Sequence, residues 1–268
     1  AGPPPTPAAA REQATSVLRA LMSSPSPRVA REAATALART CDKGALDTLN
    51  HALSDDPSAI AKVDVARTMA ACGDERGKSA LRSALAGGRR DVHAEAARML
   101  AELGDPAGLA ALVELGVPKM FRVSAGELLA LNKHPRGMAQ LEAAFKDSKA
   151  TADERLRAAI AMTAAGDKTH LAETEAALER LDFRPEAAQA LARIGDASAK
   201  PHLIAGLALP SLRVPSAQGL RRIDHDLDPT PYLAPLVTAL TQDPEVARAS
   251  AAEAILVLTG PLADAERP

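Results

Sequence analysis

The chain has 268 residues, 47% of them hydrophobic but only 1% aromatic, with no Trp, one Tyr and three Phe. An interior built from alanine and leucine excludes strand-rich sandwiches and barrels and favours close-packed helices. The net charge of −2 excludes a global field that would draw nucleic acid or an anionic membrane surface, and no apolar run reaches the roughly 18 residues of a spanning helix. In chain order, residues 1–8 (Ala-Gly-Pro-Pro-Pro-Thr-Pro-Ala) read as an extended leader or linker. The chain also begins without Met, which fits a mature chain after signal-peptide removal, a segment released from an anchor, or a piece of a longer protein. An exported or periplasmic location and a cytoplasmic one are equally compatible with it.

From residue 9 to residue 260 the sequence repeats itself. Gly-Asp closes alanine-rich stretches at Gly73-Asp74, Gly104-Asp105, Gly166-Asp167 and Gly195-Asp196, with a weaker copy at Cys41-Asp42. Large apolar anchors lie just upstream at Leu37, Met69, Leu100, Leu128, Met162, Leu191, Leu220 and Ile255. Their mean spacing of about 31 residues is the size of one helical hairpin, so eight hairpins fill the chain. The first helix of a hairpin carries leucines at helical spacing, as in Leu46, Leu49, Leu53 or Leu233, Leu236, Leu240. The second is dense in alanine, as in Ala33-Ala34-Thr35-Ala36-Leu37 and Ala187-Ala188-Gln189-Ala190-Leu191, which lets neighbouring helices approach closely. Residues 261–268 form a charged tail.

This pattern, with its Ala-Ala-x-Ala-Leu core and closing Gly-Asp, resembles the short HEAT-like repeats associated with phycobilisome lyases. The resemblance implies an all-α fold, an α-α superhelix (α-solenoid) of about eight hairpins with the second helices on its concave side, and a bacterial source. The matched residues are all structural, so function is sought where the pattern breaks.

Two hairpins depart from it. The fourth is interrupted by Gly116-Val117-Pro118-Lys119-Met120-Phe121-Arg122, and the seventh contains Pro210, Pro215 and Gly219 before the segment from Ile223 to Tyr232. A second regularity is basic: Lys62, His93, Arg155, Arg184, Arg213 and Arg248 stand seven positions before their anchors, and Arg31 and Arg122 six. Such a ladder is either a track for an acidic partner or a set of ion pairs holding the stack in register. The resemblance favours the second, with Asp56, Asp91, Asp153, Asp182 and Asp243 as partners. Phe121, Arg122, Arg155, Arg184, His225 and Tyr232 are the candidate partner-binding residues. The apolar run Ile255-Leu256-Val257-Leu258 is a further candidate docking surface at the last hairpin.

Catalytic patterns are lacking. No histidine is followed by Glu, unlike the repeated His-Glu ligands of HEAT-like iron hydroxylases, and Asp224, His225, Asp226 and Asp228 match no established metal loop. Phosphate loops and nucleophile elbows are missing, and without Trp a base-handling or chromophore pocket is hard to build. Cys41 and Cys72 lie at the ends of successive second helices, whose packing distance of roughly 8–10 Å argues for free thiols. The expectation is a monomeric, non-catalytic scaffold binding a protein or peptide on the concave face, without cofactor, metal, nucleic acid or membrane insertion. The alternatives are a lyase-type or chaperone-like accessory acting on a prosthetic group and, next, a nucleic-acid binder.

Overall fold

Serine, threonine and aspartate start these helices. Thr6, Ser26, Ser58 and Thr151 each accept a hydrogen bond from the N–H three residues on, and Thr151 forms a reciprocal capping box with Glu154. The turn aspartates Asp74, Asp105, Asp167 and Asp196 accept from the N–H two residues on at 2.8–2.9 Å. The computed structural model describes residues 4–55, 58–87, 89–115 and 122–261. Among the described residues it has no strand and sixteen α-helices.

These fall in consecutive pairs. They are α1 (Pro7–Leu21) and α2 (Pro27–Ala38), α3 (Lys43–Asp55) and α4 (Ala59–Ala71), α5 (Glu75–Ala86) and α6 (Arg90–Glu102), α7 (Pro106–Leu115) and α8 (Arg122–Leu131). Then come α9 (Pro135–Lys146) and α10 (Ala152–Ala164), α11 (Leu171–Ala176) and α12 (Arg184–Arg193), α13 (Lys200–Gly206) and α14 (Arg213–Ile223), α15 (Thr230–Gln242) and α16 (Glu245–Thr259). No helix is long and apolar enough to cross a membrane.

The Gly-Asp turn works as a helix stop. Gly73, Gly104, Gly166 and Gly195 adopt φ between 70° and 96°, and the following Asp N–H donates back to the carbonyl of the anchor (Met69, Leu100, Met162, Leu191) at 2.9–3.1 Å. The same bond in the fourth pair runs from His134 N–H to Leu129 O at 2.8 Å, with Lys133 at φ 57° in the glycine's place. The anchor there is therefore Leu129, fully buried, and not Leu128. This one-residue correction puts Arg122 seven positions before its anchor, in phase with the other rungs.

The hairpins group in two compact units: Ala1–Thr48 with Leu178–Pro268, and Leu49–Ala177. In the first unit the second helices follow the order α12, α14, α16, α2, so the first hairpin of the chain packs beyond the last. Arg11 on α1 donates to Leu256 O and Thr259 Oγ1, and Arg39 pairs with Glu253. Ile255, Leu256 and Leu258 are consequently buried. The expected free docking surface at residues 255–258 does not exist, because the chain's own N-terminal hairpin sits against α16.

In the second unit, glycines set how closely first helices cross the preceding second helix. A Cβ on Gly77, Gly108 or Gly137 would lie 2.5 Å or less from backbone of the preceding helix, and for Gly137 2.2 Å from Ala130 N. Replacing a mid-helix glycine by alanine ordinarily stabilises by about 1 kcal/mol. Here the contact reverses the sign: Gly137→Ala is expected to lower unfolding free energy by about 1–3 kcal/mol, as read from urea midpoints. A gain would mean that the crossing relaxes freely.

Candidate functional site

Basic side chains opening the second helices meet carbonyls at or just beyond the ends of the first. Lys62 Nζ donates to Ser54 O at 3.0 Å, His93 Nδ1 lies 2.6 Å from Leu85 O, Arg155 donates to Ala150 O at 2.7 Å and Arg184 to Leu178 O at 2.6 Å. Arg213, 6% exposed, donates to Leu207 O at 3.2 Å and Ala247 O at 2.9 Å. The last carbonyls of a helix lack intrahelical donors and carry the negative end of its dipole. A cation there ties the two helices of one hairpin together, which explains why the ladder recurs.

Pairing with an Asp of the next hairpin is the lesser part. It occurs at Arg122–Asp147 (3.4 Å) and Arg213–Asp243 (2.7 Å). Of the expected partners only Asp243 serves in this way among those whose ion pairs are resolved. Asp91 pairs with Arg89 and Asp182 with Arg180, while Asp56 lies outside the described residues. The turn aspartates are held ionised by local bonds. The Arg76 guanidinium lowers the carboxyl of Asp74, and the Thr169 hydroxyl and N–H lower that of Asp167.

The structure does not gather the six candidate residues into one site. Phe121 lies outside the described residues. Arg122 and Arg155 are half-buried with donors committed within the ladder. His225 is half-buried in the α14–α15 loop, where its carbonyl accepts from Arg221, and Tyr232 is half-buried in the first turn of α15. Asp224 and Asp228 accept the N–H groups of Asp226 and Thr230, as helix-start turns do. Among the described residues no group of three His, Cys, Asp or Glu is placed to hold a metal ion. Neither Cys41 nor Cys72 is free: both are disulfide-bonded, which corrects the expectation of thiols.

Arg184 alone of the six leads to a surface feature. It lines a groove of about 180 Å³ formed by α12, α13 and α14 with the turns before α12 and α14. The walls are Leu181, Pro185, Leu209, Leu212 and Pro215, and Gly206 and Ser216 lie at the base. A Cβ on Gly206 would meet the Ser216 hydroxyl at 2.2 Å, so that hydroxyl would have to turn away. Four large hydrophobic side chains are exposed among the described residues. Leu181 (78%) and Leu209 (52%) line this groove, and Ile204 (41%) is on α13 beside it. Three of four at one place mark a patch rather than scatter.

A second cavity, of about 560 Å³, lies along α6 and α8. Arg98 there is bonded to Glu95 and Glu102 and Asp91 to Arg89, while Arg90 has no ion pair among the described residues. The sequence carried a sign of the groove at residues 207–212, Leu-Ala-Leu-Pro-Ser-Leu, where leucines occupy an inter-helix turn with no acid.

The family described as HEAT repeats matches residues 7–63, and the PBS lyase HEAT-like repeat matches residues 184–208. No curated protein matches the chain. Among solved structures, human deoxyhypusine hydroxylase in complex with glycerol is similar at 23% identity, over 93% of this chain and 96% of that one, with a TM-score of 0.41. The matches over residues 7–63 and 184–208 fall on the same hairpin and turn chemistry that recurs along the chain, which is a HEAT-like repeat protein.

Proposed function

We propose that this protein is a non-catalytic scaffold that binds a protein or peptide, with the groove between α12, α13 and α14 as its principal contact surface. The observation that carries this reading is the clustering of Leu181, Leu209 and Ile204, exposed beside a preformed groove. Leaving such side chains in water forgoes about 1.5–3 kcal/mol each, a gain that a partner recovers on docking. The surrounding helices are fixed by caps and ladder bonds, so little ordering cost opposes binding. The proposal moves the contact surface away from the basic ladder, whose donors serve the hairpins themselves.

Affinity capture from native extract tests this, with the intact chain compared to Leu181→Glu/Leu209→Glu, followed by binding measurements with the purified captured protein. Both leucines are exposed, so the variant is expected to stay folded, with a melting temperature no lower than that of the intact chain, and to weaken binding at least about tenfold. Undiminished binding, or retention of a coloured small molecule instead of a protein, would overturn the proposal.

A further inference from the structure

Three rungs of the ladder have a carboxylate beside the basic group, and the rung that lines the groove does not. Arg122, Arg213 and Arg248 each have a carboxylate within 4 Å, from Asp147, Asp243 and Glu245. Arg184, like Lys62 and Arg155, has none among the described residues, and its one hydrogen bond runs from Nε to Leu178 O. The turn across the groove, residues 207–212, offers leucines where the following hairpin offers Asp243. Arg184 thus lines a largely apolar groove without a counter-charge among the described residues. Three further polar side chains line it, of which Gln189 donates to Pro215 O. Ser216 is 4% exposed, and neither its hydroxyl nor the His202 ring has a hydrogen bond among the described residues. No carboxylate lines the groove.

We infer that the groove takes a peptide segment in which an acidic side chain stands next to an aliphatic one. This rests on the scaffold reading and specifies the partner's chemistry. The carboxylate pairs with Arg184, taking the place that Asp147 holds on Arg122 and Asp243 on Arg213. The aliphatic side chain fills the space between Leu181, Leu209 and Leu212, and a cavity of about 180 Å³ holds one such residue. A charge-assisted bond to a guanidinium beside apolar walls is stronger than the same bond in open water, so acid and aliphatic residue are required together.

The test uses the full chain, isotope-labelled for NMR, titrated with an N-acetylated, C-terminally amidated pentapeptide, Gly-Leu-Asp-Leu-Gly. Saturable shifts of the Leu181, Gly206 and Leu209 amides are expected, with Asn in place of Asp weakening binding at least about tenfold. Leu209→Asp supplies the missing carboxylate within the chain. It is expected to abolish peptide binding while raising the melting temperature, an outcome that unfolding cannot imitate. Equal binding of the Asp and Asn peptides, shifts confined to other residues, or no response at millimolar peptide would overturn the inference. So would inorganic phosphate alone producing the same shifts, since the groove would then be an anion site. If Leu181→Glu/Leu209→Glu still loses a captured partner while the acidic peptide fails to bind, the scaffold reading stands and only the acidic chemistry falls.

Discussion

Deleting residues 1–38 is expected to leave a chain that binds a hydrophobic dye, aggregates at micromolar concentration and unfolds at a clearly lower temperature than the intact protein. Removal of an N-terminal helix pair from a linear repeat array ordinarily shortens the stack by one terminal unit. Here α1 and α2 pack on α16, so the deletion uncovers the C-terminal hairpin. Ile255, Leu256 and Leu258 are at most 4% exposed, and Ala251, Ala252 and Ala254 fully buried, with α1 and α2 in place. Each aliphatic side chain returned to water costs roughly 1.5–3 kcal/mol. The Arg39–Glu253 pair and the bonds from Arg11 to the end of α16 would go as well, because the first loses its setting and the second its donor. A synthetic peptide covering residues 4–41 should restore solubility when added in trans, with protection of the α16 amides from hydrogen exchange. A truncated chain that keeps its melting temperature within about 2 °C would show that the first hairpin contributes little.

That contact could not be read from the sequence, and the reason is physical. The stop signal of each hairpin is local: a glycine with positive φ, an Asp N–H returning to the anchor carbonyl, and the Asp side chain starting the next helix lie within a few residues. Those turns were legible wherever Gly and Asp both occur. At the fourth hairpin Lys133 and His134 take their places, and the anchor was read one residue early, at Leu128 instead of Leu129. Which hairpin lies beside which is a nonlocal matter. The Ala-Ala-x-Ala faces of α2 and α16 are compatible with any neighbour of the same kind, so sequence order seemed to set the stacking order.

The ladder was visible as a position, whereas its chemistry emerged only from the carbonyls that Lys62, His93, Arg155, Arg184 and Arg213 reach. Carbonyls are the same at every residue and leave no mark in a sequence. The groove was legible only as something missing, an acid absent from residues 207–212. Lys62 and Arg155 also lack a carboxylate, and what sets Arg184 apart is that it lines a groove beside exposed leucines.

Reduction gives the other large effect. Cys41 and Cys72 are disulfide-bonded and are the chain's two cysteines, 31 positions apart. The distance between helix axes does not limit residues at helix ends: Cys41 lies beyond α2, and Cys72 is the C-cap of α4. Closing a loop of this length removes conformational freedom from the unfolded chain worth about 3–4 kcal/mol. Added dithiothreitol, or Cys41→Ala/Cys72→Ala, is therefore expected to lower the melting temperature by roughly 5–10 °C. Neither treatment should alter the melting temperature difference between the intact chain and Leu209→Asp, because the groove shares no residue with the cross-link. The double variant should also be insensitive to reductant, which separates loss of the cross-link from other effects of the reagent. Alkylation before reduction should find no free thiol in protein from its native source, as expected in compartments where disulfides persist. Quantitative alkylation of both cysteines under native conditions, or an unchanged melting temperature on reduction, would refute the cross-link as a stabilising element.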